Sequence, residues 1–597
     1  MILVIGGTSE GRIAADTLDE GDGTYFYSTL GPEQDVTCAR GVRILGGMNA
    51  EEMAGFCSRE KIRVIVDAAH PYAAGVHRNV EQTARRLGLP VVRMERPRED
   101  TGGEDVVVCG DYADAVRKIK ADGVRRLLAL SGVGTIGKLS GFWREREAWF
   151  RILDRDDSRR KAAEQGFPMS RIVNYPRDDM ESLMERICPD AVLTKECGPT
   201  GGFGEKLRIA RAHGVRVYVV RRPEMPRSFI IVHGRHGLRR EIERLLPDFY
   251  ALHTGFTTGS CATAAARAAL MALLGMEVGP EVDFRIPEGE AMHMPVMRVV
   301  VEGGSATATV VKDAGDDPDV TDGSEISVKV AYSPRPGITF VGGEGIGTVT
   351  LPGLGLEVGG PAINPVPRRM IEAELSMLYS GGLDVTVSVK GGADLALKTF
   401  NPRVGVVGGI SIVGTTGIVR PFSHEAFMES MRRQMNVAVE CGCGVLVFNS
   451  GGRSEKVMRR EYPELPSCSF IHYGNAVGEC LEIAGRLGVP RLVMGVMIGK
   501  AVKLAEGNMD THSHVVEMNV GFIQALAREC GCGEATLSAI GGLGLARELW
   551  GLLDGDDADR FHTALLARCL GYCKRIYHGS LEIVLMTDKG EVKYRRS

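Results

Sequence analysis

Cysteine pairs at the spacing of thiolate metal sites are missing: the chain has 14 cysteines and no Cys-x-x-Cys. It has instead two Cys-Gly-Cys pairs, Cys441/Cys443 and Cys530/Cys532. Free thiols in a reducing compartment are therefore the expectation, and no protein metal site is expected. An excess of charge of one sign is missing too. Lys and Arg number 72 against 76 Asp and Glu, a net charge of -4, which excludes a general nucleic-acid binder. No apolar run approaches the ~20 residues of a membrane span, so no membrane association is expected. The first residues, Met1-Ile2-Leu3-Val4-Ile5-Gly6-Gly7, read as a buried strand entering a Gly turn rather than as a charged and then apolar leader. No signal peptide and a cytoplasmic location follow as expectations. Aromatics are scarce at 6% while Gly reaches 77 residues, which suits α/β folds with many tight loops. Hydrophobic residues at 44% are ample for cores and argue against disorder.

The 597 residues are too many for one core and suggest roughly three to five structural units. Over residues 1–246 short β runs alternate with helical stretches, the pattern of a parallel sheet with crossovers. Strands are expected at 2–5, 64–67, 91–94, 126–130, 191–194 and 215–220, and helices at 9–18, 76–87 and 203–213. A polar stretch, Arg96 to Asp105, reads as a hinge between lobes of about 1–100 and 101–246. A basic helix from Arg235 to Leu246 closes this part, and residues 247–253 read as a linker. From Thr254 the texture changes. Ser260 to Leu274 reads as an Ala-rich helix capped at Ser260 or Thr258. β runs at 297–301, 307–312 and 326–331 follow, then Gly-punctuated α/β sequence to residue 597. The fold class is multidomain α/β and α+β: two Rossmann-like lobes, then a second unit over 254–597.

Three strand-end loops carry candidate chemistry in the first part. Gly6-Gly7-Thr8-Ser9 follows a strand and opens a helix, where backbone N–H groups can meet a phosphate. A plain β–α turn is the other reading of a motif that is not a strict GxGxxG. The second strand ends in Ser28-Thr29 with no acid to pair a ribose diol, which favours NADPH over NADH without deciding it. His70, in Asp67-Ala68-Ala69-His70-Pro71-Tyr72, is a candidate proton donor or cofactor contact, with Tyr72 beside it as a candidate substrate contact. Lys195, in Lys195-Glu196-Cys197-Gly198, could meet phosphate or propionate. Taken in order, Gly6–Thr8, "DAAHPYA", "RMERP", "WFRILDRDDS", "LTKECGPTGGFGEK" and "VVRRP" resemble the precorrin-6A reductase family over about residues 1–232. The resemblance implies hydride delivery from a nicotinamide cofactor to a tetrapyrrole macrocycle, with the protein orienting the cofactor and supplying a proton. Gly11 departs from it, standing where such enzymes often have Ala.

In the second part the Gly turns sit in no standard methyltransferase position, and the acidic loop Asp313, Asp316, Asp317, Asp319 lacks calcium-loop spacing. His512 and His514 form a His-x-His pair without a clear third ligand. The ordered segments decide. "HTGFTTGSCATAAARAAL", "VVKDAGDDPDVTDG", "GGEGIGTVTLPGL", "PAINPVPRRMI", "KTFNPRVGVVGGISIVGTTGIVRPFS" and "IGKAVKLAEGNMDTHS" are similar to the cobalt-precorrin-5B C-1-methyltransferase family over nearly all of 253–597. The resemblance implies S-adenosylmethionine as methyl donor and a fold unlike the usual tetrapyrrole methylases; cobalt arrives in the substrate. Methyl transfer is largely positioning. Within the matched motifs, Thr257, Thr258, Ser260, Gly345, Thr415 and Thr416 are candidates for cofactor binding. Asp313, Glu344 and His512 are candidates for catalysis, and Arg420, Lys500 and Lys503 suit substrate carboxylates. The expected function is a bifunctional corrin-ring enzyme acting on cobalt-precorrin tetrapyrroles. Its rival is a tetrapyrrole-binding regulatory protein with inactive sites; a homo-oligomer is left open.

Overall fold

The computed structural model describes every residue except 33, 97–101, 104, 197, 199–201 and 513–515. Most of the stretch expected as a hinge, the end of the Lys195 loop and His514 thus lie outside the described residues. The chain divides into two compact units, Met1–His253 with Gly289–Met292, and Thr254–Glu288 with His293–Ser597.

The first unit holds two six-stranded parallel sheets. In strand order, one is Ile230–Val232, Val91–Met94, Val64–Asp67, Ile2–Ile5, Tyr25–Thr29, Gly41–Leu45; the other is Val106–Cys109, Arg216–Val220, Ala191–Lys195, Arg126–Ala129, Glu147–Leu153, Ile172–Tyr175. Both have the doubly wound order. The chain runs outward from one central strand, then crosses to that strand's other side, leaving a crevice at the carboxyl ends where the direction reverses. Asp67 and His70 follow one strand beside such a crevice, and Lys195 ends the corresponding strand of the other lobe.

Two sequence expectations need correction. The lobes are not 1–100 and 101–246, because Ile230–Val232 returns to the first sheet. Val232, Leu238, Ile242 and Leu246 then bury into the same core as Ile2 and Val4, so burial of apolar area outweighs sequence order. Residues 247–253 do not behave as a free linker. Pro247–Phe249 is a short 3₁₀ turn, and Phe249 and Tyr250 lie in that core, with the Tyr250 hydroxyl donating to Thr17 O at 3.1 Å. The glycine at 23 makes room: a Cβ there would sit 2.4 Å from the Phe249 ring.

The second unit has two five-stranded sheets, with smaller two-stranded ones beside them. The strands Arg298–Glu302, Ser305–Val311, Glu325–Tyr332, Leu383–Val389 and Ile338–Gly342 are antiparallel except for the last pair. Buried and less buried positions alternate along Leu383–Val389, so one face packs. Against this sheet lies the helix Thr258–Leu273, buried along most of its length because its alanines let helix and sheet approach closely. Its cap is Thr257 rather than Thr258 or Ser260: the Thr257 hydroxyl accepts from Ser260 N at 3.1 Å, one step earlier than expected. The second sheet runs Phe470–His472, Val445–Asn449, Arg491–Met497, Ser580–Met586, Val592–Arg596, parallel but for the last strand. A large core of Met, Leu, Ile and Cys side chains covers one face of this sheet.

Candidate functional site

The most developed polar cluster of the first unit lies where strand ends of its two lobes meet. Asp67 and Arg93 are both fully buried and ion-paired at 3.0 Å. Arg93 also donates to the carbonyls of Asp67 and Ala69, which fixes the loop before His70. The other Asp67 oxygen takes His77 Nδ1 at 2.6 Å, and His77 Nε2 lies 3.2 Å from His70 O. Burial alone would raise the Asp67 pKa, but His77 and Arg93 outweigh it and the carboxyl stays below its usual range. Arg93 and Arg222 both reach Glu95, and Arg222 donates to Glu196 O at 2.7 Å. Tyr72 ties the lobes: its hydroxyl donates to Val220 O at 2.6 Å and accepts from Glu196 N at 2.8 Å. The Lys195 ammonium sits 5.3 Å from the Tyr72 ring centre.

His70, Tyr72 and Lys195, chosen separately from the sequence, are thus brought together. The role of His70 changes. Its Nδ1 accepts from Tyr72 N at 3.2 Å, which leaves the proton of the neutral ring on Nε2. The side chain reaches solvent, yet the atoms crowding it, and then the cations Lys195 and Arg96, push its pKa down to about 4. At neutral pH His70 is an uncharged hydrogen-bond donor, not the imidazolium that a proton donor would start from.

The Gly6–Ser9 turn is partly filled by the chain itself. Thr8 caps the helix Ser9–Leu18 through Gly11 N, and Gly7 N donates to Gln34 Oε1 at 3.0 Å. Ser9 bonds Glu10, whose carboxylate pairs with Arg96 at 2.7 Å. Open space remains over Gly7 (φ 98°), so a phosphate fits there only by displacing Gln34. The Gly11 departure has a cause: a Cβ there would lie 2.4 Å from the Tyr27 hydroxyl. Sequence reasoning missed the equivalent turn of the other lobe. Gly132-Val133-Gly134-Thr135-Ile136-Gly137 is a strict GxGxxG after the strand Arg126–Ala129, open over Gly132 and Gly134. The neighbouring parallel strand, Glu147–Leu153, leads into Asp154, which pairs with Arg159. Its spacing was the signal that could have found it.

In the second unit the structure separates the candidates. Thr257, Thr258 and Ser260 bond to protein. Thr258 accepts from Val413 N at 2.8 Å, Ser260 donates to Gly417 O at 2.6 Å, and Gly259 N donates to Val413 O. The helix amino end is thereby closed by the 411–417 segment, and these hydroxyls bond within the protein. Gly345 serves packing: at φ 73° its Cβ would meet Val389 O at 2.0 Å. Thr416 bonds Ile418 O, while Thr415, Glu344 and Arg420 are exposed. Asp313 shapes its own turn by accepting from Gly315 N, and Asp319 neutralises the buried Lys312 at 2.9 Å.

Lys500, Lys503 and His512 do converge, at the carboxyl ends of the second sheet. Lys500 donates to Gly474 O and lies 5.2 Å from the Tyr473 ring centre. Lys503 donates to Thr511 O at 3.2 Å, Thr511 bonds Asn475 O, and His512 N donates to Asp510. Burial, and then the neighbouring Lys503, push the Lys500 pKa down to about 8. Beside them Glu455 accepts from His472, from Arg459 at 2.7 Å and from Arg403 at 2.8 Å. Burial opposes its charge, but these bonds win and hold it at about 2. Among the described residues no group of three or more His, Cys, Asp or Glu is placed to hold a metal, and no helix is long and apolar enough to cross a membrane.

Open parallel sheets with Gly turns and polar side chains at their carboxyl ends are the architecture of enzymes that hold nucleotide-type cofactors. The family described as Precorrin-6x reductase CbiJ/CobK matches residues 1–236, CbiD matches 247–421, and the CbiD C-terminal domain matches 510–597. The Cobalt-precorrin-5B C(1)-methyltransferase of Prosthecochloris aestuarii is 46% identical over 346 residues, 56% of this chain and 94% of that protein. That of Geobacillus kaustophilus is 42% identical over 53% of this chain and 87% of its own length. A solved CobK precorrin-6A reductase aligns at 21% identity and TM-score 0.34, covering 41% of this chain and 97% of that one. The chain belongs to the cobalt-precorrin-5B C(1)-methyltransferase family and joins to it, at the N-terminal side, a precorrin-6x reductase. It is a bifunctional enzyme of cobalamin biosynthesis, and the rival reading of a regulatory protein with inactive sites has no support in these matches.

Proposed function

We propose that residues 254–597 transfer a methyl group from S-adenosylmethionine to C-1 of cobalt-precorrin-5B, and that residues 1–253 reduce the resulting cobalt-precorrin-6A with a nicotinamide nucleotide. The domain order on the chain is the reverse of the order of reaction. The observation that carries the reading is a 46%-identical methyltransferase matched over 94% of its length on a chain whose first 236 residues match a reductase. The geometry supports it. In the reductase unit, a neutral His70 and a cationic Lys195 flank Tyr72, a setting for a polyanionic macrocycle next to a hydride donor. The donor's chemistry is hydride delivery; the protein's part is to orient it, to exclude water, and to hold propionates with Lys195. In the second lobe Gly132 and Gly134, and in the first lobe Gly7 once Gln34 moves aside, leave backbone room for its phosphates. Ser28-Thr29 at the end of the second strand supports NADPH over NADH. In the methyltransferase unit, Lys500 and Lys503 suit the substrate's carboxylates. The macrocycle carbon is the nucleophile, and catalysis is alignment of that carbon with the donor's methyl.

Oxidation of NADPH and of NADH by the full chain with cobalt-precorrin-6A tests the reductase half. Lys195→Ala is expected to raise the KM for the tetrapyrrole by roughly tenfold, ~1.4 kcal/mol of lost charge pairing. Unchanged kinetics in that variant would remove Lys195 from the site, and no oxidation of either nucleotide by wild type would remove the activity.

A further inference from the structure

We propose that the adenosyl cofactor of the methyltransferase unit is held at the carboxyl ends of Val445–Asn449 and Arg491–Met497, over Gly451 and Gly452. This rests on the S-adenosylmethionine reading above and adds to it a location that the sequence motifs do not single out. Topology gives the first reason. From Val445–Asn449 the chain goes to the neighbouring strand Phe470–His472, then crosses back to Arg491–Met497 on the other side. The reversal opens a crevice beside the end of Val445–Asn449, where a ligand lies in sheets of this kind.

The glycines give the second. Gly451 has φ 167°, extended backbone that any residue adopts, and Gly452 begins the ten-residue helix Gly452–Glu461. A Cβ at either would meet no atom of the chain within 4 Å. Neither conformation nor packing therefore requires glycine there, and the room left by two missing side chains opens outside the chain. Three glycines in the unit's other Gly-rich motifs differ. Cβ atoms at Gly345, Gly409 and Gly414 would lie 2.0, 2.4 and 2.3 Å from protein atoms, so those glycines serve internal contacts.

The third reason is an orphaned polar atom. Asn449, the last residue of its strand, is fully buried; its Nδ2 donates to Val447 O and its Oδ1 has no partner among the described residues. A buried unpaired amide oxygen is costly, and a ligand hydroxyl or amine at the strand end would remove that cost. The helix amino end adds backbone N–H donors, and Glu455 in its first turn does not repel an anion because His472, Arg459 and Arg403 neutralise it. The donor set fits an adenosyl amino acid: an amide for hydroxyl or amine, free N–H groups for a carboxylate, and glycines for close approach. Lys500 and Asn475 follow the adjacent strands Arg491–Met497 and Phe470–His472.

The test is calorimetric binding of S-adenosylhomocysteine to the full chain, together with backbone hydrogen exchange. Bound nucleoside is expected to protect amides of Asn449–Ser454 in wild type. Gly452→Glu is expected to weaken binding at least ~30-fold with its melting temperature kept, while Gly452→Ala, one methyl in open space, folds as wild type. If Gly452→Glu does not fold, the wild-type exchange map decides. Wild-type affinity in a folded Gly452→Glu, or protection at 343–347 and 411–417 instead, overturns the location and leaves the cofactor reading standing. No binding by wild type overturns both.

Discussion

His70 shows how much a single residue's role depends on neighbours that sequence spacing does not reveal. A histidine at a strand end suggests an acid, but Tyr72 N on Nδ1 and the crowding and cations around the ring make it a neutral donor. Because its pKa is held below the ordinary 6.5, at about 4, the unfolded chain takes up a proton in that interval that the folded chain refuses. Its contribution to stability is therefore lost as pH falls from about 6.5 through about 4. The reductase rate is expected to show no ionisation from His70 between these values and neutrality; a rate limb near 6.5 that disappears in His70→Asn would contradict this. Lys500 titrates higher. With a pKa of about 8 it is cationic at pH 7 and loses charge above 8. The KM of the methyltransferase for its tetrapyrrole is expected to rise between pH 7 and pH 9 in wild type and to stay level in Lys500→Arg. An identical rise in both would remove Lys500 from substrate binding. The depressed value also means that stability increases with pH between about 8 and 10.5.

At the scale of elements, strong periodicity made much of the fold legible. The helix Ser9–Leu18 and the strands Ile2–Ile5, Val64–Asp67 and Val91–Met94 stand where the apolar pattern puts them. The edge strands Gly41–Leu45 and Ile230–Val232 were not legible, since half-exposed short runs carry no distinctive pattern. The amino end of the Ala-rich helix was misread for a different reason. Thr257, Thr258 and Ser260 are all good caps, and only the 411–417 segment, some 150 residues away, decides which hydroxyl does what. Their role is accordingly structural in this account. Thr258→Val leaves Val413 N without its acceptor and is expected to cost about 1–3 kcal/mol of stability while the folded fraction keeps wild-type affinity for S-adenosylhomocysteine. Lost affinity at unchanged melting temperature would return Thr258 to the cofactor site.

For the molecule as a whole, the ordered motifs of both parts identified two enzymes where no single residue could, and the comparisons agree. The candidate sites were legible only in part. Lys500, Lys503 and His512 share one sequence motif and one strand-end cluster, whereas Asn449–Gly452 follows a strand whose central place in the sheet exists only after folding. The buried pair Asp67–Arg93 belongs to this scale, because it fixes the loop that brings His70 to the other lobe. Arg93→Met strands a buried carboxylate and is expected to destabilise the reductase unit by ~3–5 kcal/mol, read by denaturant unfolding. A loss under 1 kcal/mol would show that Asp67 is neutral in the fold.

Mass spectrometry of the tetrapyrrole tests the central claim most directly. The full chain is incubated with cobalt-precorrin-5B and S-adenosylmethionine, first without and then with NADPH. A product heavier by one methyl group in place of a hydrogen is expected and, once NADPH is added, a second product heavier by two further hydrogens. Folded, cofactor-replete protein that leaves the tetrapyrrole mass unchanged in both incubations would contradict the claim.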